Sequence, residues 1–428
     1  MVVLRYILLA AIAFMGVERL RRIFYYLQAT ETYNNRDFLQ YYLLAKAVVS
    51  GINPYLPLDQ LANIFLGNFQ FFTHPAPCTP FLTILFIPWS SLNVIQFSTL
   101  LFIIEMLVLL LVAYFLPKLW DGKASWMVTG ITFIILIAWN PVANDLSYGQ
   151  LSILLTALLL TSLLALKKQH HIQAGVLIGL TVAIKLITWP LIIYLAIKKD
   201  WRTLLSSLST ALGMNLIAMF IIGIKPFFDY YLHVSSQVFS AYEGTLHNFS
   251  LMSIGYRLFE GTGSNVFSNF ISAPPLIYLP QLAFVLSGLL VIIFLAWGVW
   301  HASRSINLDT AFAIMICVII ITSPVAWEHY FIMLIIPLVV LFRSLWNGDF
   351  PPWRTISFII ICLLLFLFNE QLVNIIFLIN GGSSLVIANH NQITFASSLL
   401  AWLPILEVLV FSILLWRSNQ PVMSENAG

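Results

Sequence analysis

Asp37 is the residue whose type and position point most directly to chemistry. It follows the first membrane-length apolar segment, in Arg36-Asp37-Phe38-Leu39-Gln40-Tyr41-Tyr42, and a Gly-Ile-Asn-Pro-Tyr turn follows at 51–55. The rest of the chain is almost all apolar, so a carboxylate there needs a reason. A carboxylate in an aromatic-rich loop at a membrane surface therefore points to chemistry on a lipid-borne substrate. Further polar groups gather after later apolar runs: Asn140, Asn144, Asp145, Tyr148, Gly149 and Gln150; then His247, Asn248, Ser250 and Arg257; then Ser323, Pro324, Trp327, Glu328, His329 and Tyr330. Lys185 lies inside an apolar stretch. The three cysteines, Cys78, Cys317 and Cys362, have neither metal-ligand nor disulfide-framework spacing. The sequence predicts no metal.

The elements that must hold these groups are membrane helices. The 428 residues are 60% hydrophobic and 9% charged, whereas soluble domains carry about a quarter charged residues. With a net charge of +3 and basic residues at helix ends, nucleic-acid binding has no support. The pattern predicts one domain, 1–428, folded as an all-α polytopic bundle of about twelve helices. Spans are expected near 2–17, 92–116, 124–140, 150–166, 203–223, 279–300, 309–323, 329–343, 355–379 and 395–416. The first is read as an uncleaved helix, since residues 16–19 make a poor cleavage site. The stretch 172–197, basic at both ends and holding Lys185 and Pro190, reads as a broken helical hairpin. Residues 81–89 read as a helix at the membrane surface, within a long first loop over about 20–78 and the segment after it.

Charge sets the orientation. With both termini cytoplasmic, twelve of the twenty Lys and Arg fall on the cytoplasmic side, and Arg19, Arg21 and Arg22 break the rule. Either the topology differs there or those arginines meet an anionic partner. In this topology the polar clusters converge on the external face.

Six segments then occur in order along nearly the whole chain: Asp37-Phe38, Tyr41-Tyr42, Gly51 and Pro54-Tyr55; His74-Pro75-Ala76-Pro77 with Pro88; Gly149-Gln150; Ala174-Gly175, Gly179 and Lys185; Asn248, Ser250 and Arg257; and Ser323-Pro324 with Trp327-Glu328-His329-Tyr330. That order resembles the GT-C superfamily of lipid-linked sugar transferases. Within it, the chain is similar to the polyprenyl-phosphate-mannose-dependent mannosyltransferases of the phosphatidylinositol-mannoside type. Ala76, Ser152 and the Trp189-Pro190 spacing depart from the family's pattern.

The resemblance implies a GT-C-like multi-pass protein of the cell membrane, acting on the external face and surrounded by membrane lipids. It implies transfer of a hexose, mannose first, from a polyprenyl-phosphate sugar donor to a lipid or glycan acceptor, with no cofactor. A hydroxyl nucleophile needs a base. A phosphate leaving group needs no general acid, so one carboxylate suffices where glycoside hydrolysis uses two. The resemblance gives Asp37 the base role, with inversion. It gives Arg257, His329 and Lys185 the departing phosphate, and adds Tyr41, Tyr42, Gln150, Asn248 and Glu328 to the donor-binding set.

Plainer readings stand beside these. Asp37 at a helix start is also a capping position, and Lys185 also suits an intramembrane ion pair with Glu105 or Glu407. Arg257 also suits lipid headgroups. His247 reads as a loop residue. A transporter or lipid-linked sugar flippase shares broken helices and an intramembrane lysine, but places its key charges at mid-membrane rather than in a long first loop.

Overall fold

A computed structural model describes residues 2–29, 36–67, 76–122, 124–262, 271–347, 355–360 and 391–418, with a few positions between 372 and 379. His74, Pro75, Cys362 and most of the span expected at 355–379 lie outside the described residues.

The described residues are mostly helical, as expected of long apolar runs that must satisfy their own backbone. The first helix, α1 (Val2–Gln28), runs past the expected end at residue 17 and carries Arg19, Arg21 and Arg22. Two of them have an anionic partner on the same helix: Glu18 meets Arg21 at 2.8 Å and Arg22 at 3.0 Å. Arg19 donates to the Ala138 carbonyl, which ties α1 to a neighbouring helix end. Three short helices follow, α2 (Phe38–Val49), α3 (Leu58–Leu66) and α4 (Pro80–Leu85), and a 3₁₀ turn covers Ile87–Trp89. Then come α5 (Val94–Phe115), α6 (Lys118–Asp121), α7 (Trp126–Ala138), α8 (Asn140–Tyr148), α9 (Ser152–Lys167), α10 (His171–Ile184), α11 (Pro190–Lys198) and α12 (Trp201–Ile222). The second long loop folds into α13 (Ile224–Asp229), a π-helical turn over Tyr230–Val234, α14 (Ser235–Tyr242) and α15 (Met252–Phe259). Further described elements are α16 (Pro280–Arg304), α17 (Leu308–Thr322), a 3₁₀ segment over Glu328–Leu334, α18 (Ile335–Asn347), a short helix Phe395–Ser398 with a 3₁₀ turn over Leu399–Trp402, and a helix over Leu403–Ser418. The β structure among the described residues is a two-residue parallel pairing of Ile271–Ser272 with Asn391–Gln392.

Local signals set several boundaries. Asn93 and Gln96 form a reciprocal capping box that starts α5. Asp200 caps α12 and Asn307 caps α17. The last of these, α17, is buried from Asp309 to Thr322, so it runs through the centre of the bundle.

Two expectations change. Among the described residues, five helices are long and apolar enough to cross a membrane, or six if the bent α7–α8 pair counts as one span. Several of the expected spans are helices of 13 to 16 residues, short of the roughly 20 a bilayer asks for. The physical reason is interruption: α7 and α8 meet at 71°, Gly149 turns the chain between α8 and α9, and Lys185 ends α10. The second change concerns α2, which the first loop was expected to hold at the surface. Its residues from Phe38 to Ala45, and Ala47, are buried. A helix apolar on nearly every face belongs inside protein.

Close helix approach comes from small residues. A Cβ on Gly175 would stand 2.5 Å from the Thr203 carbonyl, and one on Gly179 would stand 2.4 Å from that of Ser207. Lacking them, α10 packs backbone to backbone on α12. This face, which the sequence marks as Ala-Gly and Gly before Lys185, fixes where the end of α10 lies.

Candidate active site

Asp37 occupies the N-cap position of α2, yet its side chain accepts no backbone N–H of that helix. The carboxylate faces side-chain amides instead. Gln40 Nε2 donates to Oδ1 at 2.9 Å and Gln150 Nε2 donates to Oδ2 at 2.6 Å. Arg36 anchors the entry to α2 by donating to the Ser147 carbonyl at the end of α8, and its guanidinium lies 5.6 Å over the Tyr26 ring. Burial pulls the Arg36 pKa below the ordinary arginine value, while the nearby tyrosines and Asp37 oppose that shift.

Gln150 sits in the α8–α9 turn, and Gly149 makes that turn possible. Gly149 has φ +66°, and a Cβ there would stand 2.7 Å from Cβ of Phe38. Conformation and close approach both demand glycine. The Gln150 amide N–H closes the turn on the Asp145 carbonyl at 2.9 Å. The Asp145 carboxylate accepts the N–H groups of Ser152 and Ile153 at 3.1 and 2.9 Å, so it serves the start of α9. Gln150 is thereby held by its backbone within reach of Asp37.

Lys185 approaches from the other side. It breaks α10 in an extended conformation, φ −139° and ψ 122°. Helix breaks at membrane depth need other partners for the freed backbone groups. Thr79, the N-cap of α4, supplies one by donating to the Ala183 and Ile184 carbonyls at 2.8 and 3.0 Å. The Lys185 ammonium donates to Gln150 Oε1 at 2.7 Å and lies 4.6 Å over the Tyr330 ring. It does not pair with Glu105, whose two buried oxygens have no hydrogen-bond partner.

The 3₁₀ segment after Trp327 brings the last group. Tyr330 packs edge-on against His329 with ring centroids 4.7 Å apart, and buried His329 Nε2 has no hydrogen-bond partner. Glu328 Oε2 accepts from Asn144 Nδ2 at 2.7 Å, while His247 Nδ1 stands 3.6 Å from Oε1. His247 is 44% exposed, so a mostly buried carboxylate is met by a histidine open to the outside. The pairing was not legible: the two residues are far apart in sequence and His247 looked like an ordinary loop residue.

Four of the sequence candidates take other places. Arg257 is fully buried, and its guanidinium donates to the carbonyls of Thr245, Leu246, Asn248 and Ala401. Burial lowers its pKa from the ordinary arginine value. Its fork knots a loop together. Asn248 donates to the carbonyls of Tyr242, Glu243 and Pro324, and its Oδ1 accepts from the Ser250 and Ala326 N–H groups. It staples the 242–250 loop to the chain at 324–326. Tyr41 and Tyr42 were expected in the donor-binding set. Both are buried, Tyr41 stacked on Phe86 at 4.9 Å and Tyr42 edge-on to Phe97 at 5.4 Å. The Tyr41 hydroxyl nevertheless belongs to the site, donating to Gln150 Oε1 at 3.3 Å.

Asp37, Gln40, Gln150, Tyr41, Lys185, Tyr330 and His329 thus form one contiguous chain of contacts, and Asn144 links α8 beside it to Glu328 and His247. Such a site offers a base, a cation one amide away, and polar groups for hydroxyls. Among the described residues, no group of three or more His, Cys, Asp or Glu is placed to hold a metal ion.

Comparison with known proteins adds an independent line. The family model of glycosyltransferase family 87 matches residues 78–326. A relative from Mycolicibacterium smegmatis, named polyprenol-phosphate-mannose-dependent alpha-(1-2)-phosphatidylinositol mannoside mannosyltransferase, is 24% identical over 229 residues, covering 51% of this chain and 47% of the relative. One of the same name from Mycobacterium tuberculosis is 20% identical over 225 residues, with the same two coverages. The matches span about half the length of these curated relatives. No solved structure matches. Gln150, Lys185, Asn248 and Arg257 fall within the family match, while Asp37 precedes it and Glu328 and His329 follow it closely.

Proposed function

As the chain belongs to glycosyltransferase family 87, we propose that it transfers a hexose, mannose by analogy with the names of its relatives, from a polyprenyl-phosphate donor to a hydroxyl of a lipid or glycan acceptor. The reaction takes place at the external face of the membrane. Asp37 Oδ1 or Oδ2 takes the acceptor's hydroxyl proton as that oxygen bonds to the anomeric carbon. The bond from the anomeric carbon to the phosphate oxygen breaks, and the pair of electrons leaves on the polyprenyl phosphate. A single displacement inverts the anomeric configuration. No carboxylic acid is needed on the leaving side, because a phosphate is a stable anion.

Lys185 is the cation for that phosphate. An ammonium has three donors, and Gln150 occupies one. His329 Nε2 is a further contact for the donor, and Glu328 with His247 is suited to sugar or acceptor hydroxyls. The observation that carries the reading is the setting of Asp37: a carboxylate at a helix start that is not spent on capping, held by two neutral amides, with a lysine one amide away.

The test is turnover by purified protein with a panel of polyprenyl-phosphate hexoses, read by mass spectrometry of extracted lipids. Sugar transfer by the parent and none by Asp37→Asn supports the reading. Wild-type-like turnover in the variant removes Asp37 as the base, and movement of intact donor across a bilayer without transfer would favour a flippase.

A further inference from the structure

The Gln150 side chain is fixed at both ends. Its Oε1 accepts from Lys185 Nζ and from the Tyr41 hydroxyl, at 2.7 and 3.3 Å. An ammonium cannot accept a hydrogen bond, so the amide oxygen must face Lys185 and the NH₂ must face Asp37. That end meets Oδ2 at 2.6 Å. The backbone is fixed as well, by the Gly149 turn and its bond to the Asp145 carbonyl. Gln150 is only 9% exposed, so solvent does little to screen the arrangement.

We propose that Gln150 is a positioning residue that couples the base to the donor-side cation. This rests on the reading of Asp37 as base and Lys185 as phosphate contact. The amide lies between an ammonium and a carboxylate, and is polarised by both. It stands between the Lys185 ammonium and the Asp37 carboxylate, so these two do not pair with each other directly, while still passing the influence of one to the other. When Asp37 takes the acceptor's proton, its pull on the Gln150 NH₂ falls. The amide oxygen then holds Lys185 less strongly, and the ammonium is released toward the phosphate at the moment its charge develops. One side chain thereby links deprotonation on the acceptor side to departure on the donor side.

The coupling predicts opposite shifts from two substitutions of similar size. Gln150→Glu places a second carboxylate against Asp37, so the acid limb of the kcat/KM profile moves to higher pH, by about one unit. Gln150→Leu removes the spacer and lets Lys185 approach Asp37 directly, so the acid limb moves to lower pH. In both, kcat falls about 10- to 100-fold while donor KM stays within about threefold, as for a residue that acts through another. The full-length protein in lipid nanodiscs is assayed with polyprenyl-phosphate mannose from pH 4 to 9. If neither variant folds, Lys185→Met reads the same link, and its acid limb moves upward because the cation behind the amide is gone.

Profiles of the variants that superimpose on the parent's overturn the coupling. Asp37→Asn in the same assay separates the two ideas. An inactive Asp37→Asn together with unmoved Gln150 profiles leaves the base in place and removes the bridge. An active Asp37→Asn removes both.

Discussion

The two ends of α9 hold a lysine and an aspartate in different ways. At its C-terminal end, Lys167 meets Asp309 directly at 2.7 Å, and Arg343 joins at 3.1 Å while also donating to the Leu119 carbonyl. Beyond its N-terminal end, Lys185 and Asp37 are kept apart by the Gln150 amide. Sixteen helical residues separate the ends, about 24 Å of rise. The direct cluster ties α9, α17 and α18 together and spends its charges on each other. In the spaced pair the two charges meet through a neutral amide instead of each other. One knot joins helices by direct charge contact, while the other is the proposed setting for the base and its cation.

The comparison breaks most easily at Asp37. If it is the base, Asp37→Asn lowers kcat by about 10² to 10⁴, with the thermal unfolding midpoint in detergent nearly unchanged, because the side chain caps no helix. A variant that loses stability and turnover together would move Asp37 to the structural side.

A third polar knot sharpens the contrast. Arg257 has no carboxylate partner among its hydrogen bonds and donates to four backbone carbonyls. Arg257→Ala removes that buried donor from the carbonyls of Thr245, Leu246, Asn248 and Ala401, so it is expected to cost about 3–5 kcal/mol. Unfolding by heat or denaturant measures this, and whatever folds should keep the parent's donor KM. A raised donor KM at unchanged stability would restore the phosphate role that the sequence suggested.

Lys185→Met should fall between these. If Lys185 is the cation for the leaving phosphate, the variant loses that contact and frees one end of Gln150, so kcat/KM for the donor drops about 10²-fold. Raising salt should not mimic the change, because the ammonium is only partly exposed and screening acts mainly on solvent-facing charges.

How much of this was readable depends on the background against which each residue stands. In a chain so apolar, a carboxylate in an aromatic-rich loop and a lysine inside an apolar stretch stand out by type, as Asp37 and Lys185 do. The family order of segments brought in Gln150, but its geometry was hidden, because an amide carries no sign of which end it will present. Arg257 and Asn248 look the same in sequence whether they bind a ligand or satisfy a buried loop. Here the long loop between α12 and α16 folds inward, and its carbonyls needed donors. Arg36 and Thr79 were passed over because each works by bonding a carbonyl remote in the chain. The breaks within apolar stretches were hidden for a related reason. Hydropathy finds apolar stretches, but not that α8 turns from α7 or that Thr79 makes a break at Lys185 tolerable.

The smallest effect tests the other side of the comparison. Asp309→Asn keeps the shape of the side chain and removes its charge, leaving Lys167 and Arg343 close together without a counter-ion. Both cations are about one-third exposed, so water screens much of their repulsion and the direct bridges are worth less than buried ones. The expected cost is about 1–2 kcal/mol of stability, read as a lower unfolding midpoint that partly recovers at high salt. Turnover with the polyprenyl-phosphate donor should stay within about twofold, since the site is a helix length away. A loss of turnover matching that of Asp37→Asn, in protein that remains folded, would mean that the two ends of α9 are not separate in function, and that the direct ion pair takes part in the reaction cycle through the helix that joins them.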